Sequence, residues 1–315
     1  MHDRFGRKIE YLRLSVTERC TLRCAYCRAD EGYCPKAAEL TADEFTRIVR
    51  ACAQLGIKKV RLTGGEPLLR KDILNIVYDI AHTPGITELS MTTNAQQLAG
   101  KALALKEAGL QRINISMDSL NPERFKEMTG GDLSLVLSGI DEAISGGLLP
   151  VKVNVVLVRG KNDGEVDDFI ALTRENPIDV RFIELMPLGE LGEDESLRIS
   201  NDELIAARPW LVPVAPRYTS QPSRDFQVDG YLGRVGFISP ISHNFCGLCN
   251  RLRLMSDGNL RMCLGVDSEI SLLPALQQDD DTLLEVIRTA IFNKPARHQF
   301  DADFISDKNM SRIGG

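Results

Sequence analysis

The sequence has no apolar run of about 18 residues, the shortest that indicates a membrane-spanning helix. Its first residues, MHDRFGRKIEY, lack the apolar segment of a secretory signal peptide. It also lacks an excess of basic residues: 38 Lys and Arg stand against 44 Asp and Glu, a net charge of −6. That balance argues against a general binder of nucleic acids or membrane surfaces. These absences predict a soluble, cytoplasmic protein with no nucleic-acid or membrane partner.

Cysteines are too few for a disulfide framework, since the 315 residues contain only eight and cytoplasmic thiols stay reduced. Seven of them fall in two groups near the ends of the chain: Cys20, Cys24, Cys27 and Cys34, then Cys246, Cys249 and Cys263. Clustered, reduced cysteines are typical of metal ligands. The eighth, Cys52, lies on the apolar face of a predicted helix and is predicted to be an ordinary core residue.

Apolar runs alternate with helical patterns up to about residue 190. The predicted strands are Ile9–Thr17, Ile57–Thr63, Ile86–Thr92, Gln111–Ser116, Val151–Val158 and Asp179–Leu185. The predicted helices between them are Thr41–Leu55, Lys71–His82, Gln97–Ala108, Leu133–Ser145 and Gly164–Arg174. Six strands that alternate with helices predict parallel βα units in an α/β fold.

Each predicted strand has one apolar and one polar face. In the first strand, Arg13 and Ser15 alternate with leucines, and in the fifth, Lys152 and Asn154 alternate with valines. A doubly wound sheet, covered by helices on both faces, would be apolar throughout. The alternation therefore favours a barrel-like sheet whose lumen holds a ligand, with the chemistry at the C-terminal ends of the strands. A solvated antiparallel sheet would alternate as well, but the helical crossovers disfavour it.

The pattern changes after about residue 190. An acidic, loop-like stretch and a proline-rich stretch precede two short predicted strands, Gly233–Ile238 and Arg251–Met255, and a helix over Thr282–Phe292. We predict a core domain over residues 4–215 and a smaller C-terminal segment over residues 216–315, which uses its own cysteines.

The first cysteine triad, Cys20-x3-Cys24-x2-Cys27, directly follows the first predicted strand. Three thiolates suit an iron–sulfur cluster or zinc, and a closed site of either kind normally has four ligands. With three, one iron stays open to a non-protein ligand, whereas Cys34 as a fourth ligand would close the site. Gly64-Gly65-Glu66-Pro67 follows the second strand, and its glycines allow a ligand to approach the backbone closely.

The second triad is Cys246-x2-Cys249-x13-Cys263. His243 could complete a closed zinc site, since it lies three residues before Cys246. Against that stands the segment that follows, where alternation along an extended chain places Arg251 and Arg253 on one face, suited to phosphate. Thiolates beside two arginines favour a second open cluster that faces an anionic substrate.

CTLRCAYC, residues 20–27, resembles the signature of the radical S-adenosylmethionine (SAM) superfamily. The resemblance implies that the first triad holds a [4Fe–4S] cluster whose open iron binds the amino and carboxylate groups of SAM. It also implies that Gly64-Gly65-Glu66-Pro67 binds the same amino group and that Tyr26 packs beside the adenine. The implied fold is an incomplete (βα)6 TIM-like barrel, which agrees with the six predicted strands, with a C-terminal segment that carries a second cluster.

The chain resembles one family of that superfamily nearly end to end, the GTP 3′,8-cyclases of molybdenum cofactor biosynthesis (MoaA family). The segments that carry this resemblance are LRLSVTERCTLRCAYC, KKVRLTGGEPLLRKD, MTTN, RINISMDSL, VKVNVV, RFIELMP, FCGLCNRLRL, DGNLRMCL and the terminal SRIGG. The implied SAM contacts are Tyr26, Gly64, Gly65, Glu66, Ser116 and Met186. The implied GTP contacts are Arg13, Arg61, Thr92, Lys152, Arg251, Leu252 and Arg253. The implied ligands of a second [4Fe–4S] cluster, whose open iron binds guanine, are Cys246, Cys249 and Cys263.

The resemblance implies a radical reaction. Reductive cleavage of SAM releases a 5′-deoxyadenosyl radical, which takes the ribose 3′ hydrogen of GTP, and the sugar radical then adds to C8 of guanine. The product is (8S)-3′,8-cyclo-7,8-dihydroguanosine 5′-triphosphate. The catalytic residues implied are Arg13, Arg251, Arg253, Gly314 and Gly315. Arg312, close to this tail, is a further candidate phosphate contact.

The implied partners are GTP, an external electron donor of the flavodoxin or ferredoxin type and, downstream, cyclic pyranopterin monophosphate synthase, with the enzyme a monomer or a homodimer. Two alternatives stay open: another radical SAM enzyme that modifies a peptide or a small molecule through an auxiliary cluster, and a non-enzymatic zinc protein. The chain departs from the family pattern at Arg28-Ala29 after the first triad, at Ala95 and at Glu18. These departures bear on the shape of the SAM pocket and remove no ligand.

Overall fold

The computed structural model describes residues 1–27, 39–300 and 310–314. In chain order its strands are β1 (Tyr11–Ser15), β2 (Lys59–Thr63), β3 (Glu88–Thr93), β4 (Arg112–Ser116), β5 (Val151–Leu157), β6 (Ile178–Glu184), β7 (Val212–Val214), β8 (Ser223–Gln227), β9 (Val235–Ile238), β10 (Arg251–Leu254), β11 (Asn259–Arg261) and β12 (Glu269–Ser271). Its helices are α1 (Ala42–Gln54), α2 (Ile73–Ala81), α3 (Ala102–Glu107), α4 (Pro122–Thr129), α5 (Leu133–Ser145), α6 (Val166–Ala171), α7 (Gly189–Glu193), α8 (Asn201–Ala206), α9 (Leu273–Leu276), α10 (Asp280–Phe292) and α11 (Met310–Ile313). Within these ranges, no helix combines the length and apolar composition that crossing a membrane requires.

The strands form one mixed sheet in the order β12-β11-β10-β1-β2-β3-β4-β5-β6-β9-β8-β7. The strands from β10 to β9 in this order run parallel to one another, and antiparallel strands follow at both ends. The sheet curls around a cavity to which β1 to β6, β9 and β10 all contribute side chains. β12 and β7 are the two edges of the sheet and do not pair with each other, so the barrel is incomplete, as predicted. The parallel strands with helices between them confirm the predicted α/β fold class.

The apolar face of the sheet packs against helices, as the alternation in the strands predicts. Leu12 and Leu14 of β1 are fully buried in the hydrophobic core. α1 begins at a capping box, in which the Thr41 hydroxyl accepts a hydrogen bond from the Glu44 amide and the Glu44 carboxylate accepts one from the Thr41 amide. Cys52 of α1 is fully buried in the same core, which confirms the prediction that it is a core residue.

Two of the differences between the predicted and the observed helices have local reasons. The helix predicted over Gln97–Ala108 begins only at α3, because Gly100 adopts a positive φ of +79° and the chain turns there first. α4 was not predicted, although its ends carry sequence signals. Asn121 caps its N-terminus, a proline follows, and Gly130 ends it at a φ of +73°.

The C-terminal segment is part of the sheet. β10 pairs with β1 and β9 pairs with β6, so the chain after residue 215 extends the parallel core at both ends. Leu252 and Leu254 of β10 continue the apolar face of β1. Because the sheet is continuous across residue 215, the domain boundary at that residue stays a prediction. The pairing of β10 with β1 brings the second cysteine triad close to the first strand.

Candidate active site

Both cysteine triads line one cavity of about 340 Å³, within the range of small-molecule sites. Their positions follow from how β1, β10 and β11 pair. Cys20 follows the C-terminal end of β1, and Cys249 precedes the N-terminal end of β10, its parallel neighbour. Cys263 follows β11, which is antiparallel to β10 and ends beside its start. The triads therefore lie at opposite ends of the cavity.

The glycine pair at the end of β2 packs against the loop that leads to the first triad. The Gly65 amide donates to the Thr17 carbonyl at 2.7 Å, and the Glu66 amide donates to the Arg19 carbonyl at 2.7 Å. A Cβ atom at Gly64 would lie 2.4 Å from the Thr17 carbonyl oxygen, and one at Gly65 would lie 2.2 Å from that of Arg19. Both positions need glycine for this backbone contact, and both also line the cavity.

Glu66 is buried and does not line the cavity. Its carboxylate accepts hydrogen bonds from the Thr93 hydroxyl at 2.7 Å and from the amides of Asn94 and Leu68 at 2.7 and 3.0 Å. Burial raises the pKa of this carboxyl, and the three hydrogen bonds oppose that rise. The structure thus places the Glu66 side chain between the ends of β2 and β3, so it holds the glycine turn and leaves only backbone to face the cavity.

The other residues implied as SAM contacts line the cavity: Tyr26, Gly64, Gly65, Ser116 and Met186. The Tyr26 hydroxyl donates to Asp118 Oδ2 at 2.7 Å, while Asp118 Oδ1 accepts from the Val156 amide at 2.9 Å. Burial raises the pKa of Asp118 to about 6. Sequence reasoning missed Asp118, although it lies two residues after the end of β4, in RINISMDSL, where functional residues were expected.

Three arginines occupy neighbouring positions across the polar face of the sheet: Arg253, Arg13 and Arg61 lie side by side in the register of β10, β1 and β2. Burial and the charge of Arg253 lower the pKa of Arg13 well below its usual value. Burial, together with Arg251, lowers the pKa of Arg253 to about 10. Guanidiniums held this close repel one another, so this wall of the cavity is suited to a polyanion.

Arg181 of β6 also lines the cavity and was missed from the sequence. It is buried and donates from Nη2 to Asn114 Oδ1 at 3.0 Å. Burial and the charge of Arg61 lower its pKa to about 10. The alternation that selected Arg13 and Lys152 also puts Arg181 on the polar face, so the signal was present. Thr92, from β3, lines the cavity and accepts a hydrogen bond from the Asn114 amide group at 3.3 Å.

Lys152 and Leu252 do not line the cavity. Lys152 is buried beside Asp179, 3.6 Å from its carboxylate, and Arg217 binds the same carboxylate. Burial and the charge of Arg181 lower the pKa of Lys152 to about 7. Leu252 is fully buried in the core, because alternation along β10 turns it away from its two arginine neighbours. The strand itself separates the Leu252 side chain from the site.

The second triad has cationic surroundings. Burial raises the pKa of the Cys249 thiol, but the charges of Lys294 and Arg251 outweigh burial and lower it to about 7. His243, the alternative zinc ligand, lies outside the cavity and pairs with Asp202 at 2.5 Å. Among the described residues, no three His, Cys, Asp or Glu side chains converge as ligands of a single metal ion. Cys34 lies outside the described residues.

The end of the chain enters the cavity region. The Gly314 carbonyl accepts hydrogen bonds from Arg253 Nη1 at 2.6 Å and Arg13 Nη2 at 3.3 Å. A Cβ atom at Gly314 would lie 2.7 Å from Thr63 Oγ1, and its φ of +75° also favours glycine. Arg312 pairs with Glu18 at 3.2 Å, so in this structure it anchors the tail, in contrast to the phosphate contact suggested by the sequence. Gly315 lies outside the described residues.

Comparisons with known proteins identify the family of this chain. The family model described as Radical SAM superfamily matches residues 14–173, and the one described as Molybdenum Cofactor Synthesis C matches residues 178–300. The chain is 49% identical to the GTP 3′,8-cyclase of Alkaliphilus oremlandii over 100% of both chains, and 43% identical to that of Listeria monocytogenes over 100% of this chain and 99% of the relative.

A solved structure of Streptococcus suis SuiB bound to S-adenosylmethionine matches 89% of this chain and 65% of its own, with a TM-score of 0.61 and 17% identity, a likeness of fold. The relatives named GTP 3′,8-cyclase match this chain over its whole length and at much higher identity. The chain therefore belongs to the GTP 3′,8-cyclase family of radical SAM proteins.

Proposed function

We propose that this chain cleaves SAM reductively and converts GTP to (8S)-3′,8-cyclo-7,8-dihydroguanosine 5′-triphosphate, the first step of molybdenum cofactor biosynthesis. The observation that carries the proposal is a single cavity that joins two cysteine triads across a wall of adjacent arginines, Arg13, Arg61 and Arg253. The full-length relatives named GTP 3′,8-cyclase support the same reaction.

At the first end of the cavity, Cys20, Cys24 and Cys27 would hold a [4Fe–4S] cluster. Three thiols that line one end of the cavity fit a cluster with one open iron. The backbone of Gly64 and Gly65, with Tyr26, Ser116 and Met186, would frame SAM. When bound, the cluster and SAM supply the electron and the 5′-deoxyadenosyl radical for hydrogen abstraction. The protein's part is to orient the ligand, and the Asp118 contact fixes the Tyr26 hydroxyl for that purpose.

At the other end, Cys246, Cys249 and Cys263 would hold a second [4Fe–4S] cluster that binds the guanine. Its support is the donor set, three thiols that line the same cavity as the first triad. The cations around Cys249 lower its pKa and so favour its thiolate, the form that metal ligation needs. The proposed catalytic role of this end is to hold the base while Arg251 and Arg253 hold the phosphates.

The arginine wall would bind the triphosphate. Arg13, Arg61 and Arg253 are adjacent, and Arg251 and Arg181 extend the positive charge along the cavity. A polyanion stabilises guanidiniums that otherwise repel one another, and bidentate hydrogen bonds add directional specificity. Lys152, held by Asp179, would reach a phosphate only after exchanging this partner, and Leu252 would contribute through the strand that positions its two neighbours.

The glycine tail would act as a cover. Gly314 bonds to the same two guanidiniums that are proposed to hold phosphate, Arg13 and Arg253. We propose that Gly314 and Gly315 close the cavity around GTP and exclude water. At Gly314, a Cβ atom would collide with Thr63 Oγ1, so this position takes only glycine. An external donor of the flavodoxin or ferredoxin type would supply electrons, and cyclic pyranopterin monophosphate synthase would consume the product in the cytoplasm.

The test is anaerobic reconstitution with iron and sulfide, followed by incubation with SAM, GTP and dithionite and mass analysis. We expect about eight irons per chain, 5′-deoxyadenosine and an isomer of GTP. SAM cleavage without the GTP isomer would favour a radical SAM enzyme with another substrate. A colourless protein that retains zinc after anaerobic purification would favour the structural zinc alternative. The matched control is the Cys24→Ala variant, which should form neither 5′-deoxyadenosine nor the GTP isomer.

A further inference from the structure

Lys294 is a buried lysine at the second triad. Its side chain is only 2% exposed and lines the cavity together with Cys249 and Cys263. The Lys294 Nζ donates a hydrogen bond to the carbonyl of Met262, the residue directly before Cys263. Its backbone is fixed by Arg7, whose Nη2 donates to the carbonyls of Lys294 and Pro295 at 3.4 and 2.6 Å. The ammonium is therefore held in one place beside the thiols.

Lys294 differs from Arg7 and Arg261, two buried cations nearby, in its hydrogen-bond partner. Arg7 is paired with Asp3, and Arg261 is paired with Asp267 and Glu269. No carboxylate of the described residues forms an ion pair with Lys294, whose hydrogen-bond partner is a neutral carbonyl. A buried charge without a counter-charge is strongly unfavourable, so the position calls for an anion in the working protein.

The anion that the geometry offers is the triad itself. Lys294 lines the cavity together with Cys246, Cys249 and Cys263, and its ammonium bonds to the carbonyl of the residue directly before Cys263. An iron–sulfur cluster held by three thiolates is anionic, and reduction makes it more so. A fixed cation beside it stabilises the reduced form and shifts the reduction potential upward.

We propose that Lys294 is the counter-ion of the metal centre held by Cys246, Cys249 and Cys263, where its fixed positive charge makes that centre easier to reduce. This inference rests on the proposed function, which places a second [4Fe–4S] cluster at this triad. Lys294 is a positioning residue and not a ligand, because an ammonium has no lone pair to offer iron.

The test uses the full-length chain with Cys20, Cys24 and Cys27 replaced by alanine, so that the C-terminal centre is the one cluster measured. In this background, Lys294→Met removes the charge at similar side-chain length, and Lys294→Arg keeps it. Iron and sulfide content, thermal unfolding, the electron paramagnetic resonance spectrum of the reduced centre and its midpoint potential are measured anaerobically for all three proteins.

We expect Lys294→Met to shift the midpoint potential downward and Lys294→Arg to keep it near that of the parent. If Lys294→Met fails to load iron while Lys294→Arg loads it, the counter-ion role is also supported, because charge then decides whether the centre forms. An unchanged potential in a loaded Lys294→Met protein would overturn this inference alone. A parent that binds no cluster at the C-terminal triad would overturn both the inference and the second cluster of the proposed function.

Discussion

The two ends of the cavity each carry three cysteines, but in different electrostatic surroundings. At the N-terminal triad, burial raises the pKa of Cys24 well above its usual value, and the nearby Asp118 raises it further. At the C-terminal triad, the charges of Lys294 and Arg251 outweigh burial and lower the pKa of Cys249 to about 7. The thiols alone therefore do not distinguish the centres, and the side chains around them do.

This difference fits a division of labour under the proposed function. Anionic surroundings disfavour added negative charge, so a cluster at the N-terminal triad would have the lower reduction potential, as an electron donor to SAM requires. Cationic surroundings favour thiolates and attract an anionic substrate to the other end. One cavity would thus separate the generation of the radical from the binding of the nucleotide.

The largest expected effect comes from removing one ligand at each end. Cys24→Ala should eliminate both 5′-deoxyadenosine and the GTP isomer, because SAM then lacks its iron site. Cys249→Ala should eliminate the GTP isomer while SAM cleavage persists. Both products are measured by mass analysis, with Cys52→Ala, a core cysteine in α1, as the control that keeps both. Loss of SAM cleavage in a Cys249→Ala protein that retains the first cluster would erase the functional distinction between the ends.

The next effect tests the arginine wall that joins the two ends. Arg253→Met should raise KM for GTP by about 10- to 100-fold, the equivalent of about 1.5–3 kcal/mol for hydrogen bonds to a charged group. SAM binding should stay unchanged, because Arg253 lies toward the second triad. Steady-state kinetics and SAM titration measure the two quantities. Arg47→Met, which removes a guanidinium paired with Asp280 on the outer helices, should change neither, and equal losses for GTP and SAM would contradict the assignment.

The sequence indicates the arginine wall because alternation assigns side chains to faces, and Arg13, Arg61 and Arg253 follow that rule. The same rule places Arg181 on the polar face and Leu252 on the apolar face. The omission of Arg181 and the inclusion of Leu252 among the expected contacts could therefore have been avoided. The ion pair of Lys152 with Asp179 depends on the register of β5 and β6, which local patterns do not specify. The insertion of β10 beside β1 and the approach of Lys294 to Cys263 depend on contacts between distant segments, and these are beyond the reach of propensity or spacing.

A smaller effect is expected at the tail that bridges the two ends. Gly314→Ala places a Cβ against Thr63 Oγ1 in a backbone conformation that costs about 1 kcal/mol without glycine. The tail should leave the guanidiniums, and formation of the GTP isomer should fall about fivefold, the equivalent of this cost of about 1 kcal/mol. SAM cleavage should stay unchanged. Gly160→Ala is a matched control, since its φ is +72° with no atom within 4 Å of the added Cβ. Equal effects at the two glycines would show that the Thr63 contact has no role.

The smallest effect concerns the support of the N-terminal end. The Glu165 carboxylate accepts hydrogen bonds from Arg124, from the Ser119 hydroxyl and from the Leu120 amide, directly after Asp118. Burial raises its pKa, but these partners outweigh burial and lower it below the usual value. A lowered folded pKa means that the stabilisation is complete above the unfolded value of about 4.3 and is lost as the pH falls through the folded value.

Glu165→Gln should therefore lower the free energy of unfolding by about 1 kcal/mol at pH 7, and its difference from the parent should shrink as the pH falls below about 4.3. Anaerobic urea unfolding of both proteins at each pH measures that difference, and cluster loss common to both cancels. Glu127→Gln, in an exposed pair with Lys161, should leave stability unchanged. Glu165 holds the loop that contains Asp118 and does not contact the second triad. The variant should therefore weaken SAM binding more than it weakens GTP binding. A larger loss of GTP binding than of SAM binding would mean that Glu165 does not support the N-terminal end specifically, and that the electrostatic difference between the ends has no separate structural basis.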